Sequence, residues 1–235
     1  MVSKRSDLKM LRLDDREVPL LVRRNRRARR ITLRLDQTGD HVCLTLPRGV
    51  ALAEGLAFAS SRGEWLSDQL ASVPPRIPFA EGAVIPVLGR DVVIRHSPAA
   101  RRGVWHDGEQ LMVSGFPEHL ARRVRDYLKA EARREIGERA HAKARLIERP
   151  IARLTLRDTQ SRWGSCTAEG AISLSWRLVL APLEVLDYVV AHEVAHLVHM
   201  NHGRRFWALT AKLTDQVAGP QRWLRDNGAR LLRYG

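Results

Sequence analysis

The chain has 235 residues, 44% hydrophobic and 28% charged, the balance expected of a soluble globular protein, with no repeat and no low-complexity tract long enough to suggest disorder. Its 40 lysines and arginines against 26 acidic residues leave a net charge of +14, so its surface attracts polyanions, and nucleic acid, nucleotide or acidic lipid all suit it as partners. Arginine outnumbers lysine 35 to 5, a bias that base composition alone also produces.

In chain order, residues 1–18 (MVSKRSDLKMLRLDDREV) hold no continuous apolar run, so neither a secretory leader nor a membrane span is read there. Cys43 and Cys166 stand far apart without metal-type spacing, which suits a reducing compartment; the cytoplasm is the expected location. The run RRNRRARR (Arg23–Arg30) is the densest basic cluster. The alternating ITLRLD follows it, so these arginines either contact a polyanion or decorate the solvent face of a sheet. Residues 19–46 read as a hairpin turning at DQTGD, and 51–72 as an amphipathic helix that VPPRIP ends. Two more hairpins are signalled by VIPVLGRDVVIR, with Gly89 at the turn, and by GVWHDGEQLMV, with Asp107-Gly108 at the turn. Residues 1–115 are therefore expected to be a strand-rich N-terminal region. The composition shifts at SGFPEHL. From Pro117 to Pro150, Leu120, Val124, Leu128, Ile136 and Ala140 recur at helical spacing and open a second domain, 116–235.

That second half carries the chemistry. In PLEVLDYVVAHEVAHLVH (182–199), Pro182 and Glu184 suit a helix start, and Leu186, Val189, Val190, Val194, Leu197 and Val198 make it a core helix. His192 and His196 are four residues apart and so share a face, where both imidazoles reach one Zn²⁺. Glu193 stands beside them to hold and deprotonate water, in the HExxH pattern. An unpaired ionised glutamate in an apolar helix would be costly, and a metal site offsets that cost. A catalytic zinc needs a third protein ligand and one open position. His199 lies about 10.5 Å along the helix from His192, too far to close a tetrahedron without strain. His202, flanked by Asn201 and Gly203 where the chain leaves the helix, is favoured as that ligand; His199 is left as a supporting or packing residue.

The runs DTQSRWGSC (158–166), AISLSWRLVLAP (171–182), LDYVVAHEVAHL (186–197) and NHGRRFW (201–207) together resemble the YgjP-like metal-dependent hydrolases, relatives of the SprT-like zinc proteases. The resemblance implies an α+β chain ending in a zincin-like domain, with His192, His196 and His202 as metal ligands and Glu193 as catalytic acid/base. SRWGSCTAEGAISLSW reads as a hairpin packed on the metal helix, and in a zincin-like fold such a strand can hold an extended substrate. Arg162, Trp163, Ser165 and Arg177 are accordingly candidate substrate contacts, with core packing for Trp163 and Trp176 and ion pairing for the arginines as the alternative. Phe206, Trp207, Leu209 and Leu213 are assigned to the core.

The expected activity is zinc-dependent hydrolysis of peptide bonds in a protein or peptide substrate. A metal-dependent nucleotide triphosphate phosphohydrolase is the second reading, since clustered arginines hold phosphate oxygens bidentately, but no GxxxxGK[ST] loop accompanies them. A nucleic-acid-binding protein with a structural metal site is the third, and the glutamate beside the histidines argues against it.

Overall fold

A computed structural model describes residues 7–13, 16–36 and 38–235 of the chain. It is a mixed α+β structure in two compact units, Met1–Pro75 and Arg76–Gly235. Among the described residues no helix is long and apolar enough to cross a membrane.

The first unit is a four-stranded sheet of β1 (Asp7–Leu13), β2 (Arg16–Arg24), β3 (Thr32–Leu35) and β4 (Val42–Leu46), in the order β1-β2-β4-β3. Strict alternation buries Val18, Leu20 and Val22 of β2 and Val42, Leu44 and Leu46 of β4 on one face. The expected hairpin over 19–46 is realised only between β3 and β4, around a turn of which Gln37 lies outside the described residues. β2 instead runs parallel to β4, because the arginine run leaves the sheet at Arg24. Arg23 and Arg24 are the last residues of β2, and Arg26, Arg27, Arg29 and Arg30 lie in the connection after it; all six are exposed. Two bonds pin the connection: Arg24 Nη1 donates to Val50 O at 2.9 Å, and Asn25 N to Leu46 O at 3.0 Å.

The helix expected over 51–72 is two helices, α1 (Leu52–Ser60) and α2 (Gly63–Ala71). Ser60, Ser61 and Gly63 crowd weak helix formers into one turn, and the Ser61 hydroxyl bonds back to Phe58 O at 2.9 Å. Each helix still buries its own contribution to the core, Ala59 and Leu66, against the sheet.

The second unit opens with β5 (Val84–Val87), β6 (Arg90–Ser97), β7 (Val104–Asp107) and β8 (Gln110–Ser114), in the order β5-β6-β8-β7. The first turn is Leu88-Gly89, both with positive φ, the geometry of a two-residue hairpin. The second is Gly108-Glu109, one residue later than Asp107-Gly108, with Asp107 held in the strand opposite Gln110. A short 3₁₀ turn from Pro117 leads into α3 (Leu120–Leu146), which buries Leu120, Val124, Leu128, Ile136 and Ala140 as their spacing predicts. Ile85, Ile94, Leu111 and Val113 share one core with these α3 residues. The composition shift near residue 115 therefore marks a change from strand to helix within one unit, and the division between units falls at 75/76.

A three-stranded sheet follows, β9 (Arg153–Arg157), β10 (Gly164–Cys166) and β11 (Ala171–Ser175), in the order β10-β11-β9. Then come α4 (Leu183–Ala195), α5 (Arg204–Leu213) and α6 (Ala218–Leu231). α4 is apolar almost all round, with Val185, Leu186, Val189, Val190, Ala191, Val194 and Ala195 buried, as a helix enclosed by neighbours must be.

Candidate metal centre

α4 ends sooner than the expected 199. His196 is its C-cap, and Leu197 N and Val198 N bond to Val194 O and Ala195 O in a tightened last turn. The chain then bends through 199–203 and returns as α5, which brings His202 back over α4. The ring nitrogens of His192, His196 and His202 lie within 4.8 Å of one another. His202 Nε2 faces His192 Nε2 at 3.0 Å.

The surroundings fix these rings. His196 Nδ1 is 3.0 Å from His199 O, so a proton on Nδ1 satisfies that carbonyl and leaves Nε2 with a lone pair for the cluster. His199 thus serves through its backbone, and its ring stays outside the group of three. Phe206, fully buried on α5, forms the floor: its ring centroid is 4.9, 4.6 and 4.6 Å from those of His192, His196 and His202. Its assignment to the core holds, and it also seats the imidazoles. The end of α5 is tied to α4 by Asp187, which accepts from Lys143 Nζ at 2.8 Å and from Thr214 Oγ1 at 2.8 Å, while the same Nζ bonds Leu213 O at 2.5 Å. No sequence pattern announced this tie, since its members come from α3, α4 and the residue after α5.

Glu193 is 5% exposed, and among the described residues its Oε2 is a buried acceptor with no partner; His192 Nδ1 is likewise buried and unpartnered there. Burial pushes the Glu193 carboxyl up to about 7, with Arg162 opposing the shift. Burial, helped by the neighbouring His196 and His202, pushes His192 down to about 4. Burial also lowers His196, against the opposing pull of the His199 carbonyl. Burial thus favours the neutral, cation-ligating form of His192 and His196, and a carboxyl near neutrality is in the range for exchanging protons. The donor set, three imidazole nitrogens on a site that also holds the buried Glu193 carboxyl, fits a divalent metal ion of the zinc type.

A family model matches residues 29–227: the YgjP-like metallopeptidase domain. The chain belongs to that family. Neither a search of curated proteins nor one of solved structures returned a significant match. Membership identifies a metal-dependent peptidase family, and the histidine group lies inside the matched span.

The YgjP-like domain distributes the candidate substrate contacts unevenly. β10 carries Ser165, half-buried and opposite Ser173, and lies against α4. Arg162, just before β10, is exposed and close enough for its charge to act on Glu193. Trp163 packs over α6, where a Cβ added at Gly228 would stand 3.1 Å from its ring, so packing accounts for it. Arg177 is the clear departure from a substrate role. Its guanidinium bonds Asp158 Oδ1 at 2.6 Å and the carbonyls of Leu231 and Tyr234 at 3.1 and 2.7 Å, and it lies 4.8 Å over the Trp176 ring. It clamps the C-terminal turn of α6, a place where free carbonyls attract a cation. Gly164, which lies unremarked within the hairpin segment of the sequence, is packed directly on Glu193: a Cβ there would fall 2.6 Å from Glu193 Cγ.

Proposed function

We propose that the chain is a cytoplasmic zinc-dependent metallopeptidase in which His192, His196 and His202 hold the cation and Glu193 handles the proton. The observation that carries this reading is the convergence of three imidazoles beside the unpartnered, buried Oε2 of Glu193. Bound Zn²⁺ supplies Lewis-acid chemistry, lowering the pKa of water toward ~7 and polarising a carbonyl. Glu193 Oε2 accepts the proton that the attacking water loses and delivers it to the departing amine nitrogen. Phe206 excludes water from beneath the imidazoles, and His199 O keeps the His196 ring turned.

The edge strand β10 suits an extended peptide. Trp163 O accepts from Ser175 N, and Thr167 N donates to Ala171 O, so residues 163, 165 and 167 face β11. The intervening Gly164 and Cys166 direct their N–H and C=O to the open edge, where a substrate strand can pair, with Arg162 alongside. The zincin-like assignment rests on this combination of edge strand, core helix and returning histidine. The triphosphate reading has less support, since Arg177 is engaged in the fold. Two cysteines, both free, suit the cytoplasm. The exposed arginine loop after β2 supports a separate contact with nucleic acid: it projects at a sheet end, holds no apolar anchor for a membrane, and offers guanidinium groups that match phosphate oxygens.

The deciding experiment incubates zinc-loaded protein with casein and, in parallel, with nucleoside triphosphates. Peptide cleavage abolished by chelation and by Glu193→Gln is the expected result. Triphosphate hydrolysis with that dependence and no peptide cleavage overturns the assignment.

A further inference from the structure

The sheet β10-β11-β9 has a second open edge, on β9, away from the histidines' edge strand β10. β11 spends Ala171 O and Ser175 N on the β10 side, so Ile172 and Leu174 bond toward β9. Ile172 stands opposite Leu154 and Leu174 opposite Leu156 in a parallel pair. In that geometry the residues flanking Leu154 and Leu156 take the bonds, and these two leucines direct their own N–H and C=O to the free edge. Beside that edge runs a groove of about 290 Å³ lined by Arg133 of α3 and by Arg153, Leu154, Thr155 and Leu156.

Charge selects the occupant. Among the described residues Arg133, Arg153 and Arg157 are exposed and have no acidic partner, whereas Arg134, next along α3, is bracketed by Glu131, Glu135 and Glu138. A second copy of β9 laid along this edge would bring arginine against arginine, which disfavours self-pairing. Nucleic acid would satisfy the guanidiniums but leave the strand edge unpaired. We propose that the β9 edge is a docking site for an extended acidic peptide segment of another protein, added as a fourth strand with its carboxylates on Arg133, Arg153 and Arg157. The inference stands independently of the metal centre.

The test uses the full chain and a fluorescein-labelled octapeptide of alternating glutamate and valine, read by anisotropy. Three comparisons accompany it: the same peptide N-methylated at alternate residues, its lysine counterpart, and unlabelled single-stranded DNA as competitor. The acidic peptide is expected to bind and to slow amide exchange at Leu154 and Leu156. N-methylation, lysine replacement and the double variant Arg133→Glu/Arg153→Glu should each weaken binding by roughly tenfold or more, equivalent to 1.4 kcal/mol or more, with the variant's thermal melting unchanged. Equal binding of the N-methylated peptide, displacement by DNA at matched charge, protection at Gly164 and Cys166 in place of the leucines, or no binding at millimolar peptide would each overturn the proposal.

Discussion

Gly164 on β10 and Glu193 on α4 touch so closely that the space a side chain would need at one is occupied by the other. A Cβ built on Gly164 lies 2.6 Å from Glu193 Cγ and 2.7 Å from Cδ. Gly164→Ala must therefore swing the carboxyl or push β10 away from α4. Hydrolysis is expected to fall by about 10²-fold, the usual consequence of displacing a reacting group by an ångström, while bound metal stays at one per chain. Peptidase rate and metal content measured on the same preparation check this, and an unchanged rate would remove Glu193 from the chemistry.

Glu193→Gln keeps the shape and removes the base. Activity should drop roughly 10²–10⁴-fold with zinc retained, because the carboxylate works on water and is not a ligand. Loss of metal along with activity would show that the residue ligates.

His202→Ala should release zinc far more readily than His199→Ala. The first deletes a nitrogen from the group of three, whereas the second leaves intact the backbone carbonyl that steadies His196. Competition with a chromogenic chelator measures both, and equal retention would mean that the third ligand lies elsewhere.

Arg177→Ala should destabilise the fold by about 2–3 kcal/mol, since it strips an ion pair from Asp158 and leaves the Leu231 and Tyr234 carbonyls short of a donor. Denaturant unfolding gives the value. Zinc affinity should not change, and a large loss of it would restore a role for Arg177 in the site.

Replacing Arg23, Arg24, Arg26 and Arg27 with serine should weaken DNA binding and flatten its salt dependence, by up to about 0.9 in log–log slope for each phosphate that is no longer neutralised. An unchanged slope would return the loop to solvated surface.

The grouping of the three histidines was readable because its signal is local. His192 and His196 share a helix face by spacing alone, and Asn201 and Gly203 announce an irregular segment around His202, although the helix already ends at His196. The long-range parts were not readable. Nothing in the arginine run shows that β2 will pair in parallel with β4, since that choice depends on partners 22 residues away. Arg177 looks the same in sequence whether it meets a substrate or the end of α6. Asp187, Lys143 and Thr214 become a unit only after three elements have packed. The division of units was misleading for a related reason: a shift from strand-like to helix-like composition is local, whereas Ile85, Ile94 and Leu111 join the α3 core through tertiary packing.

The three histidines do not belong to equally firm ground. His192 and His196 are held by the enclosed helix α4, whereas His202 is exposed on the bend between α4 and α5. A cation held by all three would act as a latch, closing that bend onto the helix. Segments of this kind open far more often than core helices do, so metal exchange should follow the flickering of residues 197–203 and not unfolding of the domain. Metal-free protein should accordingly show its fastest new amide exchange at the start of α5, with α4 still protected. The speed at which the enzyme gains or loses its cation would then be a property of one short bend, adjustable there without disturbing the groups that carry out the reaction.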